Sequence, residues 1–401
     1  MRVPVSAAIA LLTTLAPLDG RGQAAASDAV EYPDIVHRVL TRGIEAGGFP
    51  GAAVAFGTRD SVLLLGGAGR AAWHADARRV SARGMRYDLA SLTKVVATTS
   101  AVMLLVDDGR ISLDDRVARH LPEFGGGGRD AITIRDLLMH RAGLPAGPRL
   151  GGADTPAQAR RAVLRTPLAY RPRARTLYSD VGPIVLALLA ERVAGEPFDR
   201  LVQRRIFQPL RMGTTGFRPT AGPAVAPTAL GEAAVHDPNA RRLGGVAGHA
   251  GLFSTAADLA RFARMLLRGG ELDGVRIFRE ETVASFTSRQ ADGRPLGWDS
   301  CVGGGRCGLR MSDVAFGHTG FTGTSLWLDP EQGVFVIVLT NAVLAPHAYD
   351  PMAVLADVRA DVADLAVCAA AGSDVPSPRL RSEIGINWFH AGAAPVALSG
   401  N

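Results

Sequence analysis

Lysine is the residue that this sequence almost lacks. The chain has 44 lysines and arginines together, and Lys94 is the only lysine among them. An arginine keeps its proton at every working pH, so it supplies fixed positive charge and cannot act as a base. The one titratable amine follows a serine by three positions, in Ser91-Leu92-Thr93-Lys94. This isolation predicts that Lys94 is needed for proton transfer and not for charge alone.

Several other classes of site lack support in the sequence. The net charge is +6, but the arginines are scattered among 38 acidic residues, and no basic block with interleaved aromatics indicates a nucleic-acid partner. The three cysteines and the histidines show no pairs at zinc-ligand spacing, so we expect no metal ion and no cofactor. Cys301 and Cys307 bracket a glycine-rich loop that a disulfide could close, which would leave Cys368 free.

The amino terminus is typical of a secretory signal. Arg2 precedes an apolar stretch over residues 3–18, and the three alanines at 24–26 provide a small-residue cleavage site. Residues 1–26 are therefore predicted to be a signal peptide, and the protein to be secreted or periplasmic. Export would permit the disulfide. We expect no other segment to span a membrane.

Ser91 opens a largely apolar run that extends to Val106. Residues three apart on a helix are neighbours, so the Ser91 hydroxyl and the Lys94 amine can meet. A serine hydroxyl is a weak nucleophile until a base takes its proton. A lysine is such a base where burial or a nearby cation depresses its pKa. The surrounding apolar residues predict burial of this kind, and hence a nucleophile and base at Ser91 and Lys94.

The order of patterns along the chain predicts an α+β fold. A helix over 34–46 and a hairpin from 51–57 and 61–66 come first, while strands over 323–328 and 334–340 and a helix over 352–367 come last. We expect an antiparallel β-sheet flanked by helices, built from about 32–90 and 235–368. A mostly helical lobe would cover about 91–234, and 369–401 would form a loose tail. The cleft between the lobes is the expected site.

Three motifs occur in a fixed order along the chain. They are Ser91-Leu92-Thr93-Lys94, Tyr178-Ser179-Asp180 and His318-Thr319-Gly320. Together they resemble the serine β-lactamase and penicillin-binding-protein superfamily, closest to class C β-lactamases and their esterase and D-peptidase relatives. The similarity extends over about 32–365 and includes the segments 134–144, 208–212 and 316–323. It implies a β-lactamase/transpeptidase-like fold and an acyl-enzyme.

The resemblance implies a role for each matching residue. Ser91 would be the acylated nucleophile, and Lys94 its proton acceptor. Tyr178 would pass a proton to the leaving group and help to activate water, with Lys94 as the cation that eases its ionisation. The backbone N–H groups of Ser91 and Phe321 would form the oxyanion hole.

The third motif is expected to contact the substrate. At two positions, this sequence also differs from the family pattern in ways that affect substrate binding. Thr319 would contact a substrate carboxylate or carbonyl, and Gly320 would let the strand approach the substrate. Asp180 replaces the usual asparagine; it can hold Lys94, but it would raise the pKa of that amine and offers no donor to a substrate amide. Ser179-Asp180 also resembles the class A Ser-Asp-Asn motif, but the third position of that motif is a valine in this sequence. His318 replaces the usual lysine and, being mostly neutral at pH 7, should bind a carboxylate more weakly.

The sequence therefore predicts an exported serine hydrolase that acts on an ester, a D-amino-acid peptide or a β-lactam. His140 and His249 lie where structural histidines are more common than catalytic ones. The alternative is a catalytically silent, cell-wall-binding relative, in which Asp180 and His318 would mark lost activity. The retained lone lysine argues against that alternative. The sequence does not select among the substrates or give the oligomeric state.

Overall fold

The structure is a computed structural model that describes residues 32–222, 224–231, 233–302, 307–346 and 351–373. The predicted signal peptide at 1–26 lies outside the described residues, as does most of the predicted tail. The first residues of that tail, up to Ala371, continue the last helix.

A six-stranded antiparallel sheet forms the centre of the described chain. The strands, in chain order, are β1 (Gly51–Thr58), β2 (Val62–Gly69), β3 (Tyr87–Asp88), β4 (Gly216–Phe217), β5 (Leu252–Ser254), β6 (Glu271–Leu272), β7 (Val275–Arg276), β8 (Asp299–Ser300), β9 (Phe316–Thr319), β10 (Ser325–Asp329) and β11 (Val334–Thr340). The large sheet has the order β2-β1-β11-β10-β9-β8, while β3-β5-β4 and β6-β7 form two small sheets. Strands from the two ends of the chain pair at its centre, with Ala52 opposite Thr340.

Helices cover both faces of the large sheet. The helices are α1 (Tyr32–Glu45), α2 (Ser100–Asp107), α3 (Val117–His120), α4 (Ile134–Leu138), α5 (Pro156–Leu164), α6 (Val181–Ala194), α7 (Phe198–Val202), α8 (Pro238–Arg242), α9 (Ala256–Leu267), α10 (Glu280–Thr287) and α11 (Pro351–Ala371). Helices α1 and α11 pack on one face, and α9 packs on the other. The predicted α+β class, an antiparallel sheet with flanking helices, is confirmed.

Strand β11 shows how the sequence produces this layering. All seven of its residues are buried. Successive side chains of a strand point to opposite faces. Val336 and Val338 therefore join the core under α1 and α11, while Phe335 and Ile337 join the larger core that includes α9. A continuous apolar run is what a strand covered on both faces requires.

The apolar run after Ser91 is one helical rod from Ala90 to Asp107 with three kinds of turn. A 3₁₀ turn (Ala90–Leu92) leads into a π-helical segment (Lys94–Thr99) and then into α2. By length and composition this rod could cross a membrane, contrary to the expectation that no segment after the signal peptide could do so, but 83% of it is buried inside the protein. Such burial is typical of the core helix of a globular domain.

Two local predictions have clear outcomes. The strand expected over 323–328 begins at Ser325, because Gly323 has a φ of +105° and belongs to the preceding turn. The disulfide between Cys301 and Cys307 is confirmed, with Cα atoms 5.9 Å apart, and Cys368 is free and buried.

Candidate active site

The turn that carries Ser91 has an unusual backbone. Ala90, directly before the serine, has a φ of +46°, a left-handed conformation that is uncommon for a residue with a Cβ. Its N–H donates to Asp88 Oδ1 at 2.9 Å, which holds the turn in this shape. Ser91 lies in the 3₁₀ turn that follows, and Lys94 opens the π-helical segment after it. The two residues therefore meet across a junction between two kinds of turn, and not within the single α-helix that the spacing predicted.

Lys94 is 2% exposed and fully hydrogen-bonded. Its Nζ lies 2.8 Å from Ser91 Oγ, 2.8 Å from Asp180 Oδ1 and 3.2 Å from the carbonyl oxygen of His249. The three acceptors come from three separate segments of the chain and match the three N–H bonds of an ammonium group. The site thus unites Ser91, Lys94 and Asp180, as the sequence predicted.

The charge state of Lys94 differs from the expectation that burial would depress its pKa. Burial is the largest single influence and does lower the pKa, but Tyr178 and Asp180 act in the opposite direction and together raise it above its ordinary value. The expectation of a depressed pKa is therefore wrong, whereas the expected effect of Asp180 is present. Lys94 is an ammonium in the resting site.

Tyr178 stands beside the amine and faces the solvent. Its ring centre is 5.0 Å from Lys94 Nζ, and 39% of the residue is exposed. The ring of His140 lies 4.7 Å away, and the Nδ1 of that histidine accepts the N–H of Ser179 at 3.2 Å. Burial holds the pKa of His140 well below its usual range, so the ring is neutral. His140 is buried, as expected of a structural histidine, and it orients the segment that presents Tyr178.

The turn after β9 packs directly against the Ser91 turn. Thr322 Oγ1 donates to the carbonyl of Asp88 at 2.6 Å, and Thr324 Oγ1 donates to the carbonyl of Leu89 at 3.0 Å. A Cβ on Gly320 would lie 2.4 Å from that second carbonyl oxygen, so only glycine allows this approach. Phe321, next in the chain, is 67% exposed. The fold therefore places this turn beside the serine.

His318 lies behind the site and not at its surface. It is 2% exposed, and its Nδ1 lies 2.7 Å from the carbonyl oxygen of Thr319. Its Nε2 is buried and has no hydrogen-bond partner among the described residues. Burial lowers the pKa of His318 to about 4, so the imidazole is neutral at pH 7, as expected. The side chain offers neither a charge nor an exposed polar atom to a substrate, whereas Thr319 is partly exposed.

Sequence reasoning missed a polar link on the other side of the serine. Asp88 is 3% exposed, and its Oδ2 accepts the N–H of His236 at 2.7 Å. Burial raises the pKa of Asp88 to about 6. The ring of His236 stacks on that of Phe321, with centres 5.5 Å apart and planes 22° apart. The segment around His236 has little periodicity, so no pattern indicated that it reaches the site.

Asp237, the next residue, has a second link to the site. Its Oδ1 lies 2.9 Å from His249 Nε2 and accepts the N–H of Ala240 at 2.7 Å, so it also caps α8. Burial opposes ionisation of this carboxyl, but the hydrogen bond and charge interaction with His249 outweigh it and lower the pKa of Asp237 to about 2. An aspartate directly before a proline is a common helix start, and this signal could have located the cap but not its partner.

Asp180, Asp237 and His249 place possible ligand atoms within 4.8 Å of one another. This spacing could hold a metal ion. Asp180 is already paired with the ammonium of Lys94, however, and Asp237 with His249. The lysine therefore supplies the positive charge that balances the carboxylates, and these residues fit an amine site better than a metal site.

Comparison with known sequences places the chain in a family. The family model described as "Beta-lactamase" matches residues 36–359. A protein of Escherichia coli (strain K12) named "Putative D-alanyl-D-alanine carboxypeptidase" is 34% identical over 310 residues, which cover 67% of this chain and 71% of that protein. A protein of the same name from Salmonella agona (strain SL483) is 33% identical over 304 residues, covering 65% and 70%.

Solved structures support the same fold. A penicillin-binding protein homologue from Caulobacter crescentus has a TM-score of 0.67 at 24% identity, covering 81% of this chain and 96% of that one. EstCE1, described as a hydrolase with promiscuous acyltransferase activity, has a TM-score of 0.64 at 23% identity, covering 82% and 98%. The family resemblance drawn from the three motifs is confirmed. The chain belongs to the β-lactamase family and is a serine hydrolase of that family.

Proposed function

We propose that this protein is an exported hydrolase that forms an acyl-enzyme on Ser91. The observation that carries the proposal is the 2.8 Å contact between Ser91 Oγ and the buried, only lysine of the chain. A buried amine is costly unless it is paired, and Asp180 pairs it. The site thus holds one titratable amine in contact with the serine hydroxyl that needs a base.

In acylation, Ser91 Oγ attacks the substrate carbonyl and gives up its proton. Lys94 is an ammonium at rest, so it must first release one proton to solvent, and the free amine then accepts the proton of Ser91. The N–H groups of Ser91 and Phe321 stabilise the oxyanion. Tyr178 gives its proton to the leaving group as the bond to that group breaks, and it takes a proton back from Lys94, while the acyl group stays on the serine. Water then loses a proton to Lys94 through Tyr178 and attacks the acyl ester, and Lys94 returns the proton to Ser91 Oγ.

We propose an acyl substrate without a free carboxylate next to the bond that is cut. D-amino-acid peptides are suggested by the names of the relatives from Escherichia coli and Salmonella. The neutral, buried His318 counts against recognition of a carboxylate by the third motif. We therefore rank simple esters first, peptides second and β-lactams third.

A matched pair of substrates tests this ranking. We would compare kcat/KM for a peptide ending in D-Ala-D-Ala with that for the same peptide as its C-terminal amide, beside p-nitrophenyl esters and nitrocefin. We expect the ester to be hydrolysed fastest and the amide to be cleaved at least as well as the acid. A strong preference for the acid would show that another cation binds the carboxylate, and would overturn the ranking.

Labelling tests the nucleophile. A fluorophosphonate probe should give one adduct, on Ser91, that is absent from Ser91→Ala. If no ester, peptide, β-lactam or probe reacts with folded protein, the silent cell-wall-binding alternative is supported instead. Export is tested separately, because the amino-terminal sequence of protein recovered from a secreting host should begin after residue 26.

A further inference from the structure

His236 and Asp237 are adjacent in the chain and contact three different parts of the proposed site. We call these two residues the linking dipeptide. The first part is the Asp88 carboxylate, which also holds the Ser91 turn, the second is the Phe321 ring, and the third is the imidazole of His249, whose carbonyl accepts Lys94.

The first link runs through Asp88 to the serine. One carboxylate holds the N–H of Ala90 at 2.9 Å with Oδ1 and the N–H of His236 at 2.7 Å with Oδ2. Ala90 is the left-handed residue before Ser91, and this conformation persists only when its surroundings maintain it. The linking dipeptide is thus one bond away from the contact that shapes the nucleophile turn.

The second link is the stack between His236 and Phe321. The rings are nearly parallel, and Phe321 is otherwise largely exposed to solvent. Offset stacking of two aromatic rings stabilises their relative position. This contact restrains the residue whose N–H is proposed to bind the oxyanion.

The third link runs through Asp237 and His249 to Lys94. The imidazole of His249 is 1% exposed, and its Nδ1 has no hydrogen-bond partner among the described residues. The bond of Nε2 to Asp237 is therefore what fixes the ring. Fixing the ring also fixes the peptide of His249, whose carbonyl accepts Lys94 Nζ at 3.2 Å.

We propose that the linking dipeptide is a positioning element that holds the Ser91 turn, Phe321 and Lys94 in the relative positions that acylation requires. The inference rests on the proposed function, since it assumes that Ser91 is acylated. Neither residue takes a proton or touches the reacting atoms. A misplacement of about 1 Å by a group remote from the chemistry can reduce a rate by about 10²-fold, so loss of the links should lower kcat more than it raises KM.

Four variants separate the links. Asp237→Ala removes the acceptor of His249, while Asp237→Asn keeps an oxygen at the same place. Asp88→Asn keeps one oxygen that can accept from the N–H of Ala90. Its amide NH₂ is a donor, so it cannot accept the N–H of His236. His236→Ala removes only the stack. We would measure kcat, KM and the single-turnover acylation rate with an activated ester, together with the thermal midpoint.

We expect Asp237→Ala and Asp88→Asn each to lower kcat and the acylation rate by about ten- to a hundredfold with little change in KM. Asp237→Asn should stay within a few-fold of the wild type, and His236→Ala should have the smallest loss. The double variant Asp88→Asn/Asp237→Ala should lose less than the product of the two single losses, because both act through one element.

Thr155→Ala is the matched control. Thr155 caps α5 as Asp237 caps α8, so its loss should lower the thermal midpoint in a similar way but leave kcat unchanged. The inference would be overturned by wild-type kcat in folded Asp88→Asn and Asp237→Ala. It would also be overturned by a loss of kcat in the double variant equal to the product of the two single losses. If Asp237→Ala does not fold, Asp88→Asn applies the same test from the other link. A wild-type protein that no probe acylates would instead overturn the proposed function, and this inference with it.

Discussion

Two buried charged groups of this protein are satisfied in opposite ways. Asp329, at the end of β10, is 0% exposed, and its two oxygens accept from the N–H groups of Ser312, Glu331 and Gln332 and from two neutral side chains. Lys94, at 2% exposure, is held by a carboxylate, a hydroxyl and one carbonyl. The first group meets only neutral donors, whereas the second meets a partner of opposite charge and a reactive hydroxyl.

The difference separates a structural charge from a functional one. Most of the donors to Asp329 belong to its own turn, so this carboxylate stabilises local structure. Lys94 is coupled to Tyr178 and Asp180, both of which affect its pKa. Buried titratable groups whose pKa depends on named charged partners are candidates for catalysis. Substitution at Asp329 should therefore alter stability, and substitution at Lys94 should alter rate.

The largest expected effect is on the rate of Lys94→Arg. A guanidinium keeps the charge but cannot release its proton, so the variant should be nearly as impaired as Lys94→Ala. Loss of general-base assistance typically lowers a rate by about 10²- to 10⁴-fold. The measurement is kcat/KM on the best ester, with circular dichroism to establish folding. Near-wild-type turnover by folded Lys94→Arg would show that Lys94 exchanges no proton.

The next effect is on the stability of Asp329→Ala. Removing the carboxylate leaves several buried N–H groups without an acceptor, and the free energy of unfolding should fall by about 3 kcal/mol. The kcat/KM per folded molecule should stay within about twofold of the wild type. Urea unfolding and active-site titration measure the two quantities. A large loss of rate at unchanged stability would remove the distinction between the two groups.

Asp237 should lose its stabilising effect in acid. Its pKa is about 2 in the folded state, below the ordinary value of 3.8 for an aspartate, so the folded state favours the ionised form. This contribution is fully present above pH 4 and is lost as the pH falls towards 2; it amounts to about 2 kcal/mol. Asp237→Asn lacks it, so the difference in unfolding free energy between wild type and variant should shrink from pH 5 to pH 2.5. A difference independent of pH would contradict the assigned ion pair with His249.

The sequence predicted the regular parts of the fold because they are repetitive. The continuous apolar run of β11 can be satisfied only by a sheet covered on both faces, and the pairing of first and last strands follows from the order of elements. The start of β10 was less predictable. It depends on the positive φ of Gly323, which is set by the turn that packs against the Ser91 segment.

The same distinction, between contacts that are local in the sequence and contacts between distant residues, applies to the site. The roles of Ser91 and Lys94 could be proposed from their spacing, because that contact is local. The contributions of Asp88, His236 and Asp237 could not be foreseen, since they depend on contacts between residues that are 148 positions apart in one case and 12 in the other. The sign of the pKa shift of Lys94 likewise depends on Tyr178 and Asp180, which only the folded chain brings to the amine.

The smallest expected effect concerns Asp180→Asn, which changes the charge of one partner of Lys94 while preserving its shape. Asp180 raises the pKa of Lys94 by its charge and by its hydrogen bond at 2.8 Å. An asparagine keeps an acceptor oxygen but removes the charge, so the amine should release its proton at lower pH. If acylation requires that release, the ascending limb of kcat/KM against pH should move to lower pH.

The plateau rate of Asp180→Asn should change by less than about tenfold, well below the loss expected for Lys94→Arg, because the amine remains hydrogen-bonded. Asp258→Asn is the matched control, since that aspartate also accepts hydrogen bonds inside the protein but binds Thr214 and Thr215 and not the lysine. Its pH profile should coincide with that of the wild type. An unshifted limb in Asp180→Asn would mean that the pH dependence of acylation does not report Lys94, and Tyr178 alone would then have to accept the proton of Ser91.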